Sequence, residues 1–260
     1  MNKEVDLKKD GAVLTVLLNR PLSHNAMTPE MVLGLTAVFQ DVNERDDIRV
    51  VVLTGNGRSF CAGADLSFMQ AAADYSFEDN VRDGEVIFDL MQAVDSCRKP
   101  VVGRVNGAAI GGGIGLVSCC DIVVAVARAK FAFSEVRLGL LPAVISPFVI
   151  AKIGPGNGRE LFLTGERFSA ERAQEIGLVQ HVVAEAALDE TVNERVTALL
   201  QAAPGAQAAG KALLRVVAFQ EKTAVREYTA NLIAQRRASA EGREGMSSFL
   251  EKRKPRWQER

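Results

Sequence analysis

The 260-residue sequence is poor in the residues that metal, nucleic-acid and membrane chemistry require. It has two histidines, His24 and His181, so a histidine-based metal site has almost no material. Its four cysteines, Cys61, Cys97, Cys119 and Cys120, show no Cys-x-x-Cys spacing and sit in apolar segments. They read as buried thiols rather than disulfides or metal ligands. Two tyrosines and one tryptophan leave little for stacking on bases. Neither sign of charge is in excess: 31 Lys plus Arg against 32 Asp plus Glu give a net charge of -1, which argues against a chain built to coat nucleic acid or an anionic membrane. No apolar run reaches the roughly 18 to 20 residues that span a bilayer. The start, Met1 to Asp10, has neither the apolar core of a secretory signal nor an Arg- and Ser-rich transit pattern. These absences lead to the expectation of a cytoplasmic protein with no metal, membrane or nucleic-acid partner.

What is present is enough apolar material, 48% of residues, for one large domain or a domain with an appendage. Val5 to Leu7 and Ala12 to Leu18 read as two strands meeting at Lys9-Asp10-Gly11. Thr28-Pro29 is a helix start, and Val32, Leu35, Val38, Phe39 and Val42 recur at helical spacing. Val50 to Leu53 is a short β-branched run of the kind buried on both faces of a sheet, turned by Gly55-Asn56-Gly57. Ile87, Leu90, Met91 and Val94 make another amphipathic helix, delivered through Lys99-Pro100 into a strand. Strand and helix in alternation predict right-handed crossovers and a largely parallel sheet, so the fold class is α/β. From about Leu188 onward the pattern is helical.

The stretch from Val101 to Val126 organises the rest. A strand is followed by Asn106-Gly107, three consecutive glycines (Gly111, Gly112, Gly113) and a second apolar run. Glycines there remove every Cβ from one face, so that backbone N–H groups at a helix start can approach an anion or oxyanion. The competing reading is that the glycines only let a helix pack on a sheet. The spacing fits neither Gly-x-x-x-x-Gly-Lys-Ser/Thr nor Gly-x-Gly-x-x-Gly. Cys61-Ala62-Gly63-Ala64-Asp65 repeats the theme in miniature, and two such places point to one shared pocket. Residues 67 to 80 lack a clean period and read as a lid or loop. Glu135 follows Phe131-Ala132-Phe133, an apolar setting that predicts a raised pKa if the carboxylate is buried. Gly154-Pro155-Gly156-Asn157-Gly158 reads as a break in the chain.

Taken in order, Leu18-Asn19-Arg20-Pro21 with Asn25-Ala26, Val51 to Gly55, Phe60 to Leu66, Lys99-Pro100-Val101, Asn106-Gly107-Ala108 with Gly111 to Gly113, Cys120-Asp121-Ile122, Leu163-Thr164-Gly165 and Phe249 to Arg253 resemble the crotonase (enoyl-CoA hydratase/isomerase) superfamily over essentially the whole chain. The resemblance implies a spiral of ββα units in residues 1–195, a C-terminal helical trimerisation region in 196–260, and a homotrimer or a hexamer of two trimers. It implies an acyl-CoA substrate, with no cofactor beyond the coenzyme A that carries the acyl group. The thioester oxygen would be held by the amides of Ala64 and Gly112. Substrate contacts are implied for Arg20, His24, Ala62, Asp65, Leu66, Gly111, Pro142 and Lys252.

Hydratases of this family resemble one another in carrying two glutamates. The first position is Gly115 here, so that acid is missing; the second matches Glu135. The expected reaction is reversible addition of water across the 2,3 double bond of an enoyl-CoA, with Glu135 as the acid and base. Isomerisation of a 3-enoyl-CoA by the single glutamate is the alternative. The segment Ser134 to Pro147 is similar to that of bacterial methylglutaconyl-CoA and carboxygeranoyl-CoA hydratases, whose substrates carry a second carboxylate; Arg82 and Arg137 are the candidate partners for it. A catalytically weak acyl-CoA- or RNA-binding protein is a third reading, weakened by the neutral charge and scarce aromatics.

Overall fold

The alternating residues of Val5–Asp10 and Val13–Leu18 form strands β1 and β2, paired antiparallel with Asp10 opposite Val13. The turn is therefore Gly11-Ala12, with Gly11 at φ +53°; Lys9 and Asp10 still belong to the ladder. The computed structural model describes residues 3–72 and 74–258. Met1 and Asn2 of the amino-terminal stretch, Ala73 of the expected 67–80 loop, and Glu259 and Arg260 of the C-terminal region lie outside the described residues.

Helix α1 (Pro29–Glu44) begins where Thr28 Oγ1 accepts the Met31 N–H at 3.1 Å, and it buries Met31, Leu35, Phe39 and Val42. Strand β3 (Val50–Gly55) is buried along its whole length. After it come α2 (Leu66–Ala72), α3 (Phe77–Asp95) and β4 (Val101–Val105). The short strand β5 (Ala109–Ile110) leads into α4 (Gly112–Cys119), which returns the chain to β6 (Ile122–Val126). Strand β7 (Lys130–Ala132), a 3-10 turn over Ser134–Leu138 and α5 (Ser146–Thr164) follow. Then come β8 (Arg167–Ser169), α6 (Ala170–Glu175), β9 (His181–Val183) and α7 (Leu188–Gln201). The chain closes with α8 (Pro204–Val217), α9 (Arg226–Ala238) and α10 (Ala240–Leu250).

The main sheet has the order β1-β2-β3-β4-β6-β9, and every pairing after the β1-β2 hairpin is parallel. A second sheet, β5-β7-β8, stands beside the carboxyl end of β4. Phe39, Phe60, Phe131 and Phe133 are fully buried in the core, each contributing about 1.5 to 3 kcal/mol by leaving water. All four thiols are free and buried, and burial pushes Cys61 and Cys120 up to about 12.

Three expectations need correction. The 67–80 stretch is mostly helical: Asp65 Oδ1 accepts both the amide and the hydroxyl of Ser67 (2.9 and 2.6 Å) to start α2, and Ser76 caps α3 through the Asp79 amide. Its polar composition obscured a helix that local caps nucleate. The Gly154 to Gly158 break is confined to Gly154 (φ +71°, ψ 163°), after which Pro155 starts a second helical segment running to Thr164; proline is tolerated there because a first-turn N–H has no intrahelical partner. The expected division at 195/196 falls inside α7, whose Val192 and Val196 are both buried in the core. The chain changes direction instead at Ala202-Ala203, just before Pro204.

Candidate active site

Two connections leave the carboxyl ends of neighbouring strands and meet. The segment after β3 carries Cys61 to Asp65, and the segment after β4 carries Ala109 to Gly113. They are joined as a parallel bridge between Cys61 and Ala109, with the Phe60 and Cys61 amides donating to Ala108 O (3.0 and 3.1 Å) and Ile110 N donating to Cys61 O at 2.9 Å. Contact is so close that a Cβ on Gly113 would stand 2.3 Å from Cys61 O, and one on Gly63 would stand 3.7 Å from Gly112 N.

A third strand of chain fixes the direction of the Ala64 amide. Met27 N donates to Gly63 O (2.7 Å), and Asp65 N donates to Met27 O (3.0 Å), making a parallel Met27–Ala64 bridge. Residues 63 and 65 thus face Met27, and Ala64 points its own N–H the other way. Gly112 N is the first amide of α4 and has no partner within the helix. Among the described residues neither amide donates a hydrogen bond. Ala64 is exposed and Gly112 half-buried, so both donors are open to a ligand.

Glu135 completes the cluster. Gly111, at φ +51°, presents its Cα to this carboxylate: a Cβ there would lie 2.9 Å from Oε1 and 3.8 Å from Oε2. Glu135 Oε2 is buried and unpartnered among the described residues. Burial raises the Glu135 carboxyl above the usual carboxylate range, as its apolar setting predicted, although the Phe133 ring itself packs on Phe162 and Phe168. A half-buried carboxyl with one unpartnered oxygen and a raised pKa, next to free backbone donors, is equipped to exchange a proton with a bound ligand.

The space at Gly115 is filled. A Cβ there would stand 2.5 Å from Ile145 Cγ2 and 3.0 Å from Met91 Cε. The layer continues through Val144, which lies against Gly84 on α3, and through Phe148, whose ring sits 5.4 Å from that of Phe88.

The remaining expected residues divide. Arg20 holds the loop together rather than offering a free cation: its Nη1 donates to Ala26 O (2.6 Å) and Asp65 Oδ2 (2.7 Å), and its Nε pairs with Glu4 (3.0 Å). Hydrogen bonds from Ser67, and then from Arg20, hold the Asp65 carboxyl at about 2. His24 is exposed in a left-handed conformation, with Nδ1 3.0 Å from Ser59 Oγ, and its carbonyl accepts the Ala62 amide at 3.0 Å. The Gly111 amide is likewise occupied, donating to Ala132 O at 2.9 Å. Leu66 stays 76% exposed beside the donors, an apolar surface open to a ligand.

Two expected residues lie apart from the amide pair within the single chain. Pro142 is buried and lines an apolar cavity of about 490 Å³ with Val136, Ile150 and Phe162, which neither amide nor Glu135 borders. Lys252 is exposed near the tail, and the residues just after it are anchored elsewhere: Trp257 Nε1 donates to Gln201 O (3.1 Å) and Arg49 Nη1 donates to Trp257 O (2.7 Å), at the amino end of β3. Sequence reasoning also missed Met27, whose methyl occupies the space a Cβ on Gly112 would need, 2.4 Å away; an apolar residue after Asn25-Ala26 carries no local signal of that role. A groove of about 580 Å³ on the other face of the sheet has its arginines neutralised, Arg104 by Asp189 and Arg128 by Glu185.

Residues 8–260 match the family described as Enoyl-CoA hydratase/isomerase. The chain is 32% identical to a putative enoyl-CoA hydratase of Thermus thermophilus over 95% of its own length and 98% of the relative's. It is 31% identical to the crotonyl-CoA hydratase of Syntrophomonas wolfei, over 97% and 96%. Among solved structures, Pseudomonas aeruginosa AtuE superposes with a TM-score of 0.95 at 38% identity, covering 98% of this chain and 99% of that one.

Proposed function

The chain belongs to the enoyl-CoA hydratase/isomerase family, and from that premise we propose that it is an enoyl-CoA hydratase, a hydro-lyase adding water reversibly across the 2,3 double bond of an acyl-CoA. The observation that carries this reading is the convergence of the two unpartnered amides, Ala64 and Gly112, with the half-buried Glu135 carboxyl against Gly111. The amides polarise the thioester carbonyl, and as negative charge grows on its oxygen they stabilise it; one such donor is worth about 2.7 to 4 kcal/mol. The Glu135 carboxylate takes a proton from water while the water oxygen bonds to C3. The electron pair of the double bond moves onto the thioester as an enolate, and the proton returns from Glu135 to C2. One carboxyl suffices because the two transfers are sequential.

The hydratase names of the relatives favour hydration over isomerisation. For the acyl group, a short apolar chain has more support than methylglutaconyl. Arg82 is paired with Asp79, and Arg137 packs its Cγ against Gly165, 3.2 Å from where that glycine's Cβ would stand. Arg82 is thus spent, while the Arg137 guanidinium is exposed and has no ion pair among the described residues, so the preference for an apolar chain rests on the crotonyl-CoA hydratase among the relatives. A homotrimer or hexamer is part of the proposal: α8 and α9 bury no residue in the chain, and Leu214, Phe219 and Ile233 are exposed on and beside them. A neighbouring copy would also be the route by which Lys252 reaches a coenzyme A phosphate.

The test is absorbance of the conjugated thioester. With crotonyl-CoA the signal falls as the double bond is hydrated. Unchanged absorbance with crotonyl-CoA, together with a rising signal from a 3-enoyl-CoA, would replace the hydratase by an isomerase, and silence with both would favour a binding role.

A further inference from the structure

Ala64 and Gly112 are 48 positions apart in the chain and sit on separate connections, yet a two-donor site works only if both amides are aimed at one atom. Backbone bonds between Phe60, Cys61 and Ala108 run beside the donors. Upstream of them, one buried side chain crosses between the connections. Asn106, at the end of β4, donates from Nδ2 to Gly57 O (2.8 Å) and Ser59 O (3.3 Å), and its Oδ1 accepts the Gly55 N–H (3.3 Å). Every polar atom of the carboxamide is thus spent on the turn that carries the first connection. The neighbouring Gly107 is pressed so close to that turn that a Cβ would stand 1.9 Å from Arg58 O. Asn25 grips the same turn from outside, donating to Asn56 O and Ser59 O at 2.9 Å each, but it does not reach the β4 connection.

We propose that Asn106 is a positioning residue that sets the register between the Ala64 and Gly112 donors. The proposal rests on the reading of these amides as the thioester oxygen's donors. The carboxamide needs both its functions: a donor facing two carbonyls and an acceptor facing an amide. Asn106→Asp keeps the shape and the acceptor but turns a second oxygen toward Gly57 O and Ser59 O, which drives the turn away. Asn106→Ser shortens the bridge without adding charge.

The control is Thr54→Val. Thr54 is buried, and its Oγ1 donates to Arg104 O at 2.8 Å, so the variant cuts a bond between the same two strands, inside the sheet and short of the connections. The measurements are melting temperature, steady-state kinetics with crotonyl-CoA, and the absorbance shift of bound cinnamoyl-CoA, a conjugated thioester whose spectrum moves to the red when its carbonyl is polarised. A displacement of reacting groups by an ångström costs on the order of 10²-fold in rate. Expected for Asn106→Asp and Asn106→Ser is a fall in kcat of about that size with KM within about threefold and a diminished red shift, while Thr54→Val lowers the melting temperature and keeps wild-type kcat and shift. Folded Asn106 variants with wild-type kcat and shift overturn the proposal, as does failure of both variants to fold, which would make Asn106 a requirement of the fold alone. If wild-type protein neither turns over crotonyl-CoA nor shifts cinnamoyl-CoA, it is the function reading that fails.

Discussion

Ile145 covers Gly115: its Cγ2 stands 2.5 Å from the place a Cβ on that glycine would take, with Met91 Cε 3.0 Å from the same place. The glycine and the isoleucine are a matched pair: Ile145 fills the space into which a longer side chain at position 115 would extend. Gly115→Glu should therefore destabilise the protein by at least the ~1 to 3 kcal/mol of overpacking, with the burial of a carboxyl added. Combining it with Ile145→Ala should recover part of the loss. Thermal melts of the single and double variants check this, and equal melting temperatures for Gly115→Glu and wild type would contradict it.

Glu135→Gln should lower crotonyl-CoA turnover by roughly 10² to 10⁴ while leaving the melting temperature equal or higher. The gain is expected because Oε2 is buried without a partner, and a neutral amide is cheaper to bury than a carboxylate. Unchanged turnover would remove Glu135 from the mechanism.

The pH dependence has two limbs of opposite sign. Burial raises the folded pKa of Glu135 above 4.5, so the fold prefers its protonated form: its contribution to stability is complete below the unfolded value and is lost as pH rises through the folded one. Hydration needs the ionised form as base, so kcat/KM should rise over that same interval, above the usual carboxylate range. Asp65 does the reverse. With its pKa lowered from 3.8 to about 2, it stabilises the fold above the unfolded value and ceases to do so as pH falls through about 2. Melting temperatures across pH for wild type, Glu135→Gln and Asp65→Asn should show the first variant flattening the upper limb and the second the acid limb.

Gly111→Ala should hurt catalysis more than folding. A side chain at φ +51°, ψ −120° costs on the order of 1 to 3 kcal/mol, and the new methyl would stand 2.9 Å from Glu135 Oε1, displacing the carboxylate from the donors. Turnover measured beside a denaturation curve distinguishes the two effects; a loss of activity no larger than the loss of folded protein would show that Glu135 had kept its place.

The central elements were legible because each obeyed one strong period: β3 as an apolar run, α1 as a 3.6-residue stripe behind Thr28. The two glycine-bearing turns were legible as neighbours, and the resemblance named Ala64 and Gly112 within them; the fold leaves both amides without an acceptor among the described residues. Long-range pairing was not legible. Arg20 and Asp65 looked like ligand contacts in sequence, and only the fold shows their charges spent on one another. Helix α2 was hidden because its start depends on hydrogen bonds from Ser67 to Asp65, not on periodicity. Ile145 over Gly115 joins positions that no local pattern links, so the missing first glutamate was visible in the sequence whereas its replacement by packing was not.

Lys211 reaches from α8 to Asp121 Oδ2 at 2.6 Å, and the same oxygen accepts the Val101 amide at 2.7 Å. The C-terminal layer is thereby fastened to the amino ends of β4 and β6, while the reactive loops leave the opposite ends of β3 and β4. Substitutions confined to residues 56–66 and 106–115 would leave those fastenings whole, so the loops of the candidate site can be varied in this chain without reopening how its outer helices are attached.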